Sequence, residues 1–366
     1  MATAEPSARP CRFAAVPAFA NLPFRPTIPP MEAKSVEVLP TGEGWRFEPK
    51  WDGFRCLVFR DGDEVELQSK GEKTLARYFP ELVEVVRGLK EDRFVIDGEL
   101  VIPVAGALSF DALQMRLHPA ESRIRKLSAE TPAKLVLFDC LAADGKPLME
   151  APLIERRAAL EALGIAGDDL LLSPCTADRE AAEGWLGSSG VALDGVIAKR
   201  LDGPYLPGER AMLKVKCLRT ADCVVGGFRY AAKEGAGGRR EVGSLLLGLY
   251  DDRGRLNHVG FTSNMPDRAE LTERLEALIE APGFTGNAPG GKSRWANARS
   301  EEWQPLRPEL VVEVRFDQVT AGRFRHGTGF QRWRPDKAPK QCRMEQLDQK
   351  TPLSALQGLE GSELGQ

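Results

Sequence analysis

The sequence predicts an α+β protein, with a first part built of antiparallel strands and a few helices and a second part that forms a small β-barrel. Apolar runs of strand length recur through the first 218 residues, and six Asp-Gly dipeptides separate or interrupt them. Asp-Gly is typical of hairpin turns. After Arg219 the chain changes to short strands with one inserted helix. Its length of 366 residues leaves room for two cores of roughly 100–200 residues each.

The first predicted domain covers residues 29–218, after a segment at 1–28 that is rich in proline and alanine. That segment is expected to run extended or to stay disordered. Strands are predicted at FRCLVFRD, EVELQS, RFVIDGELVIP, AKLVLFDCL, LDGVIAKRL and AMLKVKCL. Between them, Leu153 to Leu163 has the spacing of an amphipathic helix that ends at Gly164.

The second predicted domain covers residues 219–345. Its strands are predicted at DCVVGGFRY, SLLLGLY, HVGFTS, ELVVEVRFDQVT and FQRWRP. A helix is predicted from Pro266 to about Glu280, because proline suits a first helical turn. Five short strands with one helix fit a barrel of the OB type, a fold often used on nucleic acids. Residues 346–366 are polar and predict a flexible tail.

Composition excludes several classes of protein. Hydrophobic residues make up 42% of the chain and charged residues 28%, as in ordinary globular proteins. Apolar runs long enough to span a bilayer are missing, and seven prolines in the first thirty residues interrupt any signal-peptide pattern. The seven cysteines form no CxxC pair, so they predict reduced thiols in a cytoplasmic protein.

Charge is distributed unevenly along the chain. Residues 61–101 carry eleven acids against six bases, whereas 315–343 carry eight bases against two acids. A second basic segment lies at 199–241. Two basic segments in an acidic protein suggest a polyanion-binding face, although plain solvated surfaces would look the same. For Arg323, Arg325 and His326, phosphate contact and a solvated surface remain equally open.

Three of the six Asp-Gly pairs carry additional charges within apolar strands, where a charge needs an opposite partner or a functional role. They belong to a set of short motifs that follow one another along the chain. The motifs are KWDGFR at 50–55, QSK at 68–70, IDGEL at 96–100, LFD at 137–139, LDGVIAK at 193–199, MLKVK at 212–216 and RPDK at 334–337.

The chemistry of these residue types suits transfer of a nucleotide. An unperturbed lysine is neutral in only about one molecule in 2,500 at pH 7, so Lys50 must have its ammonium form destabilised to act as a nucleophile. Lys199, Lys214 and Lys216 are predicted to depress the pKa of Lys50 and to hold triphosphate oxygens. Acids in the same site would hold a divalent metal.

In this order, the motifs resemble those of ATP-dependent DNA ligases, members of the covalent nucleotidyltransferase superfamily. The resemblance covers roughly residues 29–345 and is strongest to small bacterial stand-alone repair ligases. It implies a nucleotidyltransferase (adenylation) domain followed by an OB-fold domain. It also implies ATP, Mg²⁺ or Mn²⁺ as cofactor, and a monomer that seals nicked double-stranded DNA in repair, joining 3′-hydroxyl to 5′-phosphate. Repair partners cannot be identified from the sequence.

The resemblance also implies roles for individual residues. Lys50 would attack the α-phosphorus of ATP and carry AMP, which then moves to the 5′-phosphate of a nick. Nucleotide contacts are implied for Glu48, Arg55, Glu99, Phe138, Lys199, Lys214 and Lys216, with Phe138 stacked on adenine. Arg334, Asp336 and Lys337 would orient the leaving pyrophosphate. Glu99 and Asp194 would hold the metal, and DNA would contact Ser69, Lys70, Arg239 and Arg240.

Two positions depart from the family pattern. Lys70 stands where an arginine is more common, so a point charge replaces a bidentate fork. Asp194 stands where glutamate is usual, with a side chain one methylene shorter. Two alternatives remain open: an RNA ligase or capping-type enzyme with the same lysine chemistry, and a non-catalytic nucleic-acid-binding protein.

Overall fold

The computed structural model describes residues 18–165, 167–186, 193–232, 238–290 and 302–347. Over these residues, the part before Cys217 forms two mainly antiparallel sheets, a separate two-stranded pair at residues 103–108 and five α-helices. The strands are β1 Ala33–Ser35, β2 Trp45–Lys50, β3 Phe54–Asp61, β4 Glu64–Ser69, β5 Arg93–Val101, β6 Pro103–Val104, β7 Ala107–Leu108, β8 Lys134–Ala143, β9 Lys146–Pro147, β10 Leu170–Leu172, β11 Gly195–Arg200 and β12 Met212–Lys216. The helices are α1 Pro80–Arg87, α2 Phe110–Arg116, α3 Glu121–Glu130, α4 Leu153–Ala162 and α5 Arg179–Leu186.

The two sheets differ in the order of their strands. The smaller sheet has the order β1-β12-β11-β2, and the larger sheet has the order β10-β8-β5-β3-β4, with β9 paired to β8. Only β1–β12 and β10–β8 are parallel pairs among the named strands of these sheets. The chain crosses from the smaller to the larger sheet between β2 and β3, immediately after Lys50.

The Asp-Gly pair at this crossing is not a hairpin turn. A Cβ atom on Gly53 would lie 2.0 Å from the carbonyl oxygen of Leu100, so only glycine lets the start of β3 approach β5. Gly195 is similarly confined, since its Cβ would lie 2.1 Å from the carbonyl oxygen of Val215. By contrast, Gly62 and Gly145 have positive φ angles and lie in ordinary turns.

The second part of the chain forms a barrel with one helix. Its elements are β13 Arg219–Tyr230, β14 Val242–Tyr250, β15 Leu256–Thr262, α6 Arg268–Glu276, β16 Gln304–Pro305, β17 Val311–Phe316, β18 Val319–Thr320, β19 Arg323–Phe324 and β20 Gly329–Trp333. The main sheet has the order β15-β14-β13-β17-β20, and a parallel bridge between Thr262 and Thr328 closes it. This arrangement is consistent with an OB-fold.

Both predicted helices form. The first spans Leu153–Ala162, and Gly164 follows it with a φ of 61°. The second spans Arg268–Glu276 rather than Pro266 to Glu280, so the predicted span was too long at both ends. Asp267 precedes it in the left-handed region, with a φ of 49°, which explains why the helix cannot begin at Pro266.

Each part of the chain has its own apolar core. The barrel core draws only on residues from Ala221 onward, whereas the other four clusters draw on residues up to Val215. Within the described residues, the helices are too short or too polar to cross a bilayer.

The structure describes only part of the predicted N-terminal segment and of the predicted C-terminal tail. Residues 18–28 contain no strand or helix and run along the larger sheet, where Leu22 is buried and Asn21 hydrogen-bonds Asp61. The remainder of the predicted N-terminal segment, 1–17, lies outside the described residues, as does the predicted tail from residue 348 onward.

Candidate active site

A pocket lies between the two sheets, and most of the predicted nucleotide-binding residues line it. Strand register explains the grouping. Gly195 pairs with both Lys50 and Lys216, and Ile197 pairs with both Glu48 and Lys214. Because side chains two residues apart share one face of a strand, the charged groups of β2 and β12 project together. The predicted residues in the pocket wall are Glu48, Lys50, Arg55, Lys70, Glu99, Phe138, Lys199 and Lys214.

Lys50 forms an ion pair with Asp194, a residue 144 positions away in sequence. The Lys50 side chain is 23% exposed and that of Asp194 only 2%. Burial would lower the pKa of Lys50, but Asp194, Glu99 and Asp52 more than offset it, so this pKa is raised. The prediction that neighbouring lysines depress it was therefore wrong for this arrangement.

The three lysines that were expected to lower the pKa of Lys50 differ in whether a carboxylate offsets their own charge. Lys199 is buried and pairs with Glu48 at 2.8 Å. Lys216 pairs with Asp317 of the barrel at 2.8 Å. Burial, followed by the charges of Lys50 and Lys216, lowers the pKa of Lys214. Of the three lysines, Lys214 is thus the one whose cation is least compensated.

Arg55 is held in a fixed plane at the wall of the pocket. Its Nε and Nη2 donate to the two carboxylate oxygens of Asp97, both at 2.6 Å. Its Cζ lies 4.7 Å from the centroid of Phe138, and Lys199 Nζ lies 4.6 Å from the same ring. The Phe138 ring therefore already contacts two cations, and adenine stacking on it stays a prediction.

Glu99 faces the pocket without a hydrogen bond or ion pair to any described residue. Burial raises its pKa to about 7, and the attraction of Arg55 and Lys50 reverses only part of that effect. A carboxylate whose pKa lies near neutrality is typical of functional sites.

Ser69 and Lys70 lie at the edge of the larger sheet. Lys70 lines the pocket and pairs with Glu32 at 3.0 Å. The Ser69 hydroxyl accepts from the backbone N–H of Lys73 at 3.0 Å and does not line the pocket. The structure thus brings Lys70, but not Ser69, to the lysine nucleophile.

The RPDK residues lie on the barrel, apart from the pocket. Arg334 Nη1 donates to Asp222 Oδ1 at 2.8 Å, and Lys337 Nζ donates to Asp222 Oδ2 at 2.6 Å. Asp336 also pairs with Arg334, at 2.9 Å. Asp222 was not predicted as a site residue, because an acid inside an apolar strand run gives no sign of its partners.

A hairpin of the barrel, formed by β18 and β19, sits against the start of β3. Arg325 Nη1 donates to Asp52 Oδ1 at 3.1 Å, and its Cζ lies 3.7 Å from the centroid of Phe110. His326 contacts Asp317 at 3.2 Å. Arg325 and His326 thus each contact a carboxylate in this arrangement while remaining exposed at the surface.

Arg239 and Arg240 lie between β13 and β14 of the barrel. Arg239 pairs with Glu273 at 3.1 Å, and Arg240 lies over the Tyr230 ring at 4.2 Å. Neither lines the pocket. Residues 233–237, which precede them in the chain, lie outside the described residues.

Two models of ATP-dependent DNA ligase domains together match most of the chain. Residues 30–216 match the model of the ATP dependent DNA ligase domain, and residues 238–337 match the ATP dependent DNA ligase C terminal region. The chain belongs to the ATP-dependent DNA ligase family.

Similar relatives span nearly the whole ligase. DNA ligase C2 of Mycolicibacterium smegmatis is 46% identical, over 90% of this chain and 96% of its own. DNA ligase C of Mycobacterium tuberculosis is 44% identical, over 91% and 97%. A solved mycobacterial DNA ligase D complexed with ATP and MES is 30% identical and covers 86% of this chain and 97% of its own, with a TM-score of 0.46. Family membership makes this chain an enzyme that uses ATP and binds nucleic acid.

Two carboxylates of the ligase suit a divalent cation. Asp194 Oδ1 is buried and lacks a hydrogen-bond partner among the described residues, and Glu99 is likewise unpaired there. The described residues contain no cluster of three or more His, Cys, Asp or Glu positioned around one point. A hard cation at this site would therefore need phosphate oxygens or water to complete its coordination.

Replacing Glu99 with glutamine should stabilise the ligase at alkaline pH. The pKa of Glu99 is about 7 in the folded state and near 4.5 in the unfolded state, so the folded protein loses stability as pH rises through this window. Glutamine cannot ionise and avoids that loss. We expect Glu99→Gln to raise the free energy of unfolding by about 1–3 kcal/mol more at pH 8 than at pH 5.

Urea denaturation at both pH values measures this difference. Glu155→Gln is a matched control, because Glu155 is exposed on α4. A Glu99→Gln effect that is the same at pH 5 and pH 8 would show that Glu99 titrates normally.

Proposed function

We propose that this ligase seals nicks in double-stranded DNA through an AMP group carried on Lys50. The observation that supports this most strongly is the setting of Lys50 in the pocket. Its amine is partly exposed there and donates a hydrogen bond to Asp194, a carboxylate placed to accept its proton. Lys199 and Lys214 line the same pocket. One nucleophile, nearby carboxylates and several cations suit attack on a nucleoside triphosphate.

The first step requires Lys50 to lose a proton. Lys50 Nζ then attacks the α-phosphorus of ATP, a P–N bond forms, and the bond to pyrophosphate breaks. Asp194 stabilises the ammonium form in this arrangement, so binding of ATP must weaken the Lys50–Asp194 pair before attack. Asp194 is also the carboxylate best placed to accept the proton, because its Oδ2 already receives the Lys50 hydrogen bond.

Side chains of the pocket would hold the nucleotide. Lys214 has the least compensated charge and is proposed to bind the α-phosphate. Arg55 and Glu99 are proposed to bind the ribose, and Phe138 the adenine. Glu48 is proposed to contact the adenine edge through the backbone of its strand, since its carboxylate already pairs with Lys199. Lys216, which now pairs with Asp317, would bind phosphate after that pair opens.

We propose that Glu99 and Asp194 hold Mg²⁺ or Mn²⁺. The cation would neutralise charge on the phosphates during transfer. Support for this assignment is the unpaired state of Glu99 and of Asp194 Oδ1 among the described residues. The shorter Asp194 side chain already reaches Lys50, so aspartate suffices for contact with the nucleophile.

The later steps would act on DNA. AMP moves from Lys50 to the 5′-phosphate of the nick, and the 3′-hydroxyl then displaces AMP to join the backbone. Lys70 at the pocket edge is proposed to bind the 5′-phosphate, with Ser69 beside it, and Arg239 and Arg240 to bind the duplex. Arg334, Asp336 and Lys337 are proposed to orient pyrophosphate once the barrel has moved over the pocket.

The proposal extends to organisation and setting. We propose a division into an adenylation domain at 29–218 and an OB domain at 219–345, supported by their separate cores. We also propose a monomer that acts in DNA repair in the cytoplasm. The six cysteines within the described residues are all free, as expected in a reducing compartment.

A sealing assay tests the function and its alternatives together. The substrate is a nicked duplex with DNA or RNA on either side of the nick, supplied with ATP or GTP. We expect ATP-dependent sealing of the all-DNA nick. Sealing only with RNA strands, or labelling with GTP instead of ATP, would favour the RNA ligase or capping-type alternative. No covalent adenylate under any condition would favour a non-catalytic binding protein.

A further inference from the structure

The hydroxyl of Tyr205 closes a buried ring of hydrogen bonds behind Arg55. Tyr205 lies in the loop between β11 and β12 and is only 1% exposed. Its hydroxyl donates to Asp97 Oδ2 at 2.7 Å and accepts from the backbone N–H of Met31 at 3.0 Å. Arg55 completes the ring, because Nη2 donates to the Met31 carbonyl at 3.2 Å and to the same Asp97 oxygen at 2.6 Å.

The ring joins four segments that are distant in sequence. Met31 lines the pocket just before β1, while Arg55 and Asp97 lie on the neighbouring strands β3 and β5, with Asp97 two residues before Glu99, the register partner of Arg55. Tyr205 is 108 residues from Asp97 and 174 from Met31. The one side-chain hydroxyl therefore fixes both the carboxylate that holds Arg55 and the backbone that lines the pocket.

The geometry leaves one nitrogen of Arg55 for a ligand. Nε and Nη2 are used inside the ring, and Nη1 makes no hydrogen bond to a described residue. With Cζ 4.7 Å from the Phe138 centroid, the guanidinium can neither rotate nor withdraw easily. We propose that Tyr205 is a positioning residue, which aims Arg55 at the nucleotide through Asp97 and Met31.

This inference rests on the proposed ATP site and deepens it. Without the hydroxyl, Asp97 loses one donor and the buried Met31 N–H loses its acceptor. Phenylalanine fills almost the same volume, so Tyr205→Phe removes little besides the hydrogen bonds. Leaving buried polar groups without partners is costly, and Arg55 would be held less firmly.

A double-mutant cycle measures whether Tyr205 acts through Arg55. ATP dissociation constants are measured by calorimetry in the Lys50→Ala protein, which cannot form the covalent adenylate, with and without Tyr205→Phe and Arg55→Ala. We expect Tyr205→Phe to weaken ATP binding about 5- to 30-fold when Arg55 is present. In the Arg55→Ala background, we expect an effect of less than about twofold.

The kinetics of adenylate formation supply a second readout with Lys50 intact. Tyr205→Phe should raise KM for ATP by a similar factor and change kcat by less than about twofold, because the nucleophile is untouched. Loss of folded enzyme would instead lower the apparent kcat and leave KM alone. Tyr230→Phe is the matched control, since its hydroxyl also donates to a carboxylate at 2.7 Å, that of Glu276 on the barrel.

The outcomes separate this inference from the proposed function. Equal effects of Tyr205→Phe in both Arg55 backgrounds, or unchanged ATP binding and KM when Arg55 is present, overturn the positioning role and leave the ATP site standing. Failure of ATP to bind the Lys50→Ala protein overturns the proposed function and this inference with it.

Discussion

Replacing Lys50 with alanine is expected to abolish formation of the covalent adenylate, with a loss of at least about 10⁴-fold. Alanine provides no nucleophile, so no P–N bond can form at this position. The pocket itself should survive, because Lys50 is partly exposed and its partner Asp194 can then bind a cation or water. Transfer of radiolabel from ATP to protein measures the loss.

A nick that already carries AMP on its 5′-phosphate separates the nucleophile from the rest of the site. Joining this substrate needs no lysyl-adenylate, so Lys50→Ala should retain at least about a tenth of the wild-type rate. Lys146→Ala is the matched control, since Lys146 is exposed on β9. Adenylation of the Lys50→Ala protein at the wild-type rate would assign the chemistry to another residue.

Most of the strands, and the grouping of Lys50 with Glu48, Lys199 and Lys214, could be predicted from the sequence. The resemblance carried by the order of the motifs implied this grouping, and strand periodicity explains it once the pairing of β2, β11 and β12 is known. The Asp-Gly pairs show the limit of this reasoning. Asp52-Gly53 and Asp194-Gly195 look like hairpin turns, yet both glycines lie where another backbone passes within van der Waals distance.

The pairing of charges could not be predicted, because it depends on contacts between distant segments. Arg325 and Asp52 are 273 residues apart, and Arg334 and Asp222 are 112 apart. The sign of the Lys50 pKa shift was wrong for the same reason. The sequence contains both lysines and acids near this motif, and only the folded structure shows that Asp194 is the group in contact.

Replacing Arg334 with alanine is expected to slow adenylate formation about 10²- to 10³-fold, while sealing of the pre-adenylated nick changes less than about threefold. Arg334 would orient pyrophosphate, which leaves only in the first step. Single-turnover rates for the two reactions measure the split. Arg343→Ala is the matched control, because Arg343 also lies between two carboxylates of the same part of the chain, Asp252 and Glu345. Equal losses in both reactions would instead indicate a general effect on DNA binding or folding.

A role for Arg334 in adenylate formation requires the barrel to move, because Arg334 and Lys337 are bound to Asp222 and do not line the pocket. The contacts that would have to open include the ion pairs Lys216–Asp317 and Asp52–Arg325, whose four side chains are all partly exposed to solvent. The packing of Arg325 on Phe110 and the hydrogen bond from Ala321 N–H to Asp111 would open with them. Ion pairs of this kind contribute little, about 0–1 kcal/mol each. Triphosphate oxygens can therefore replace Asp317 on Lys216 at small cost. ATP binding would thereby help to release the β18–β19 hairpin from the start of β3, so that the barrel can move over the pocket.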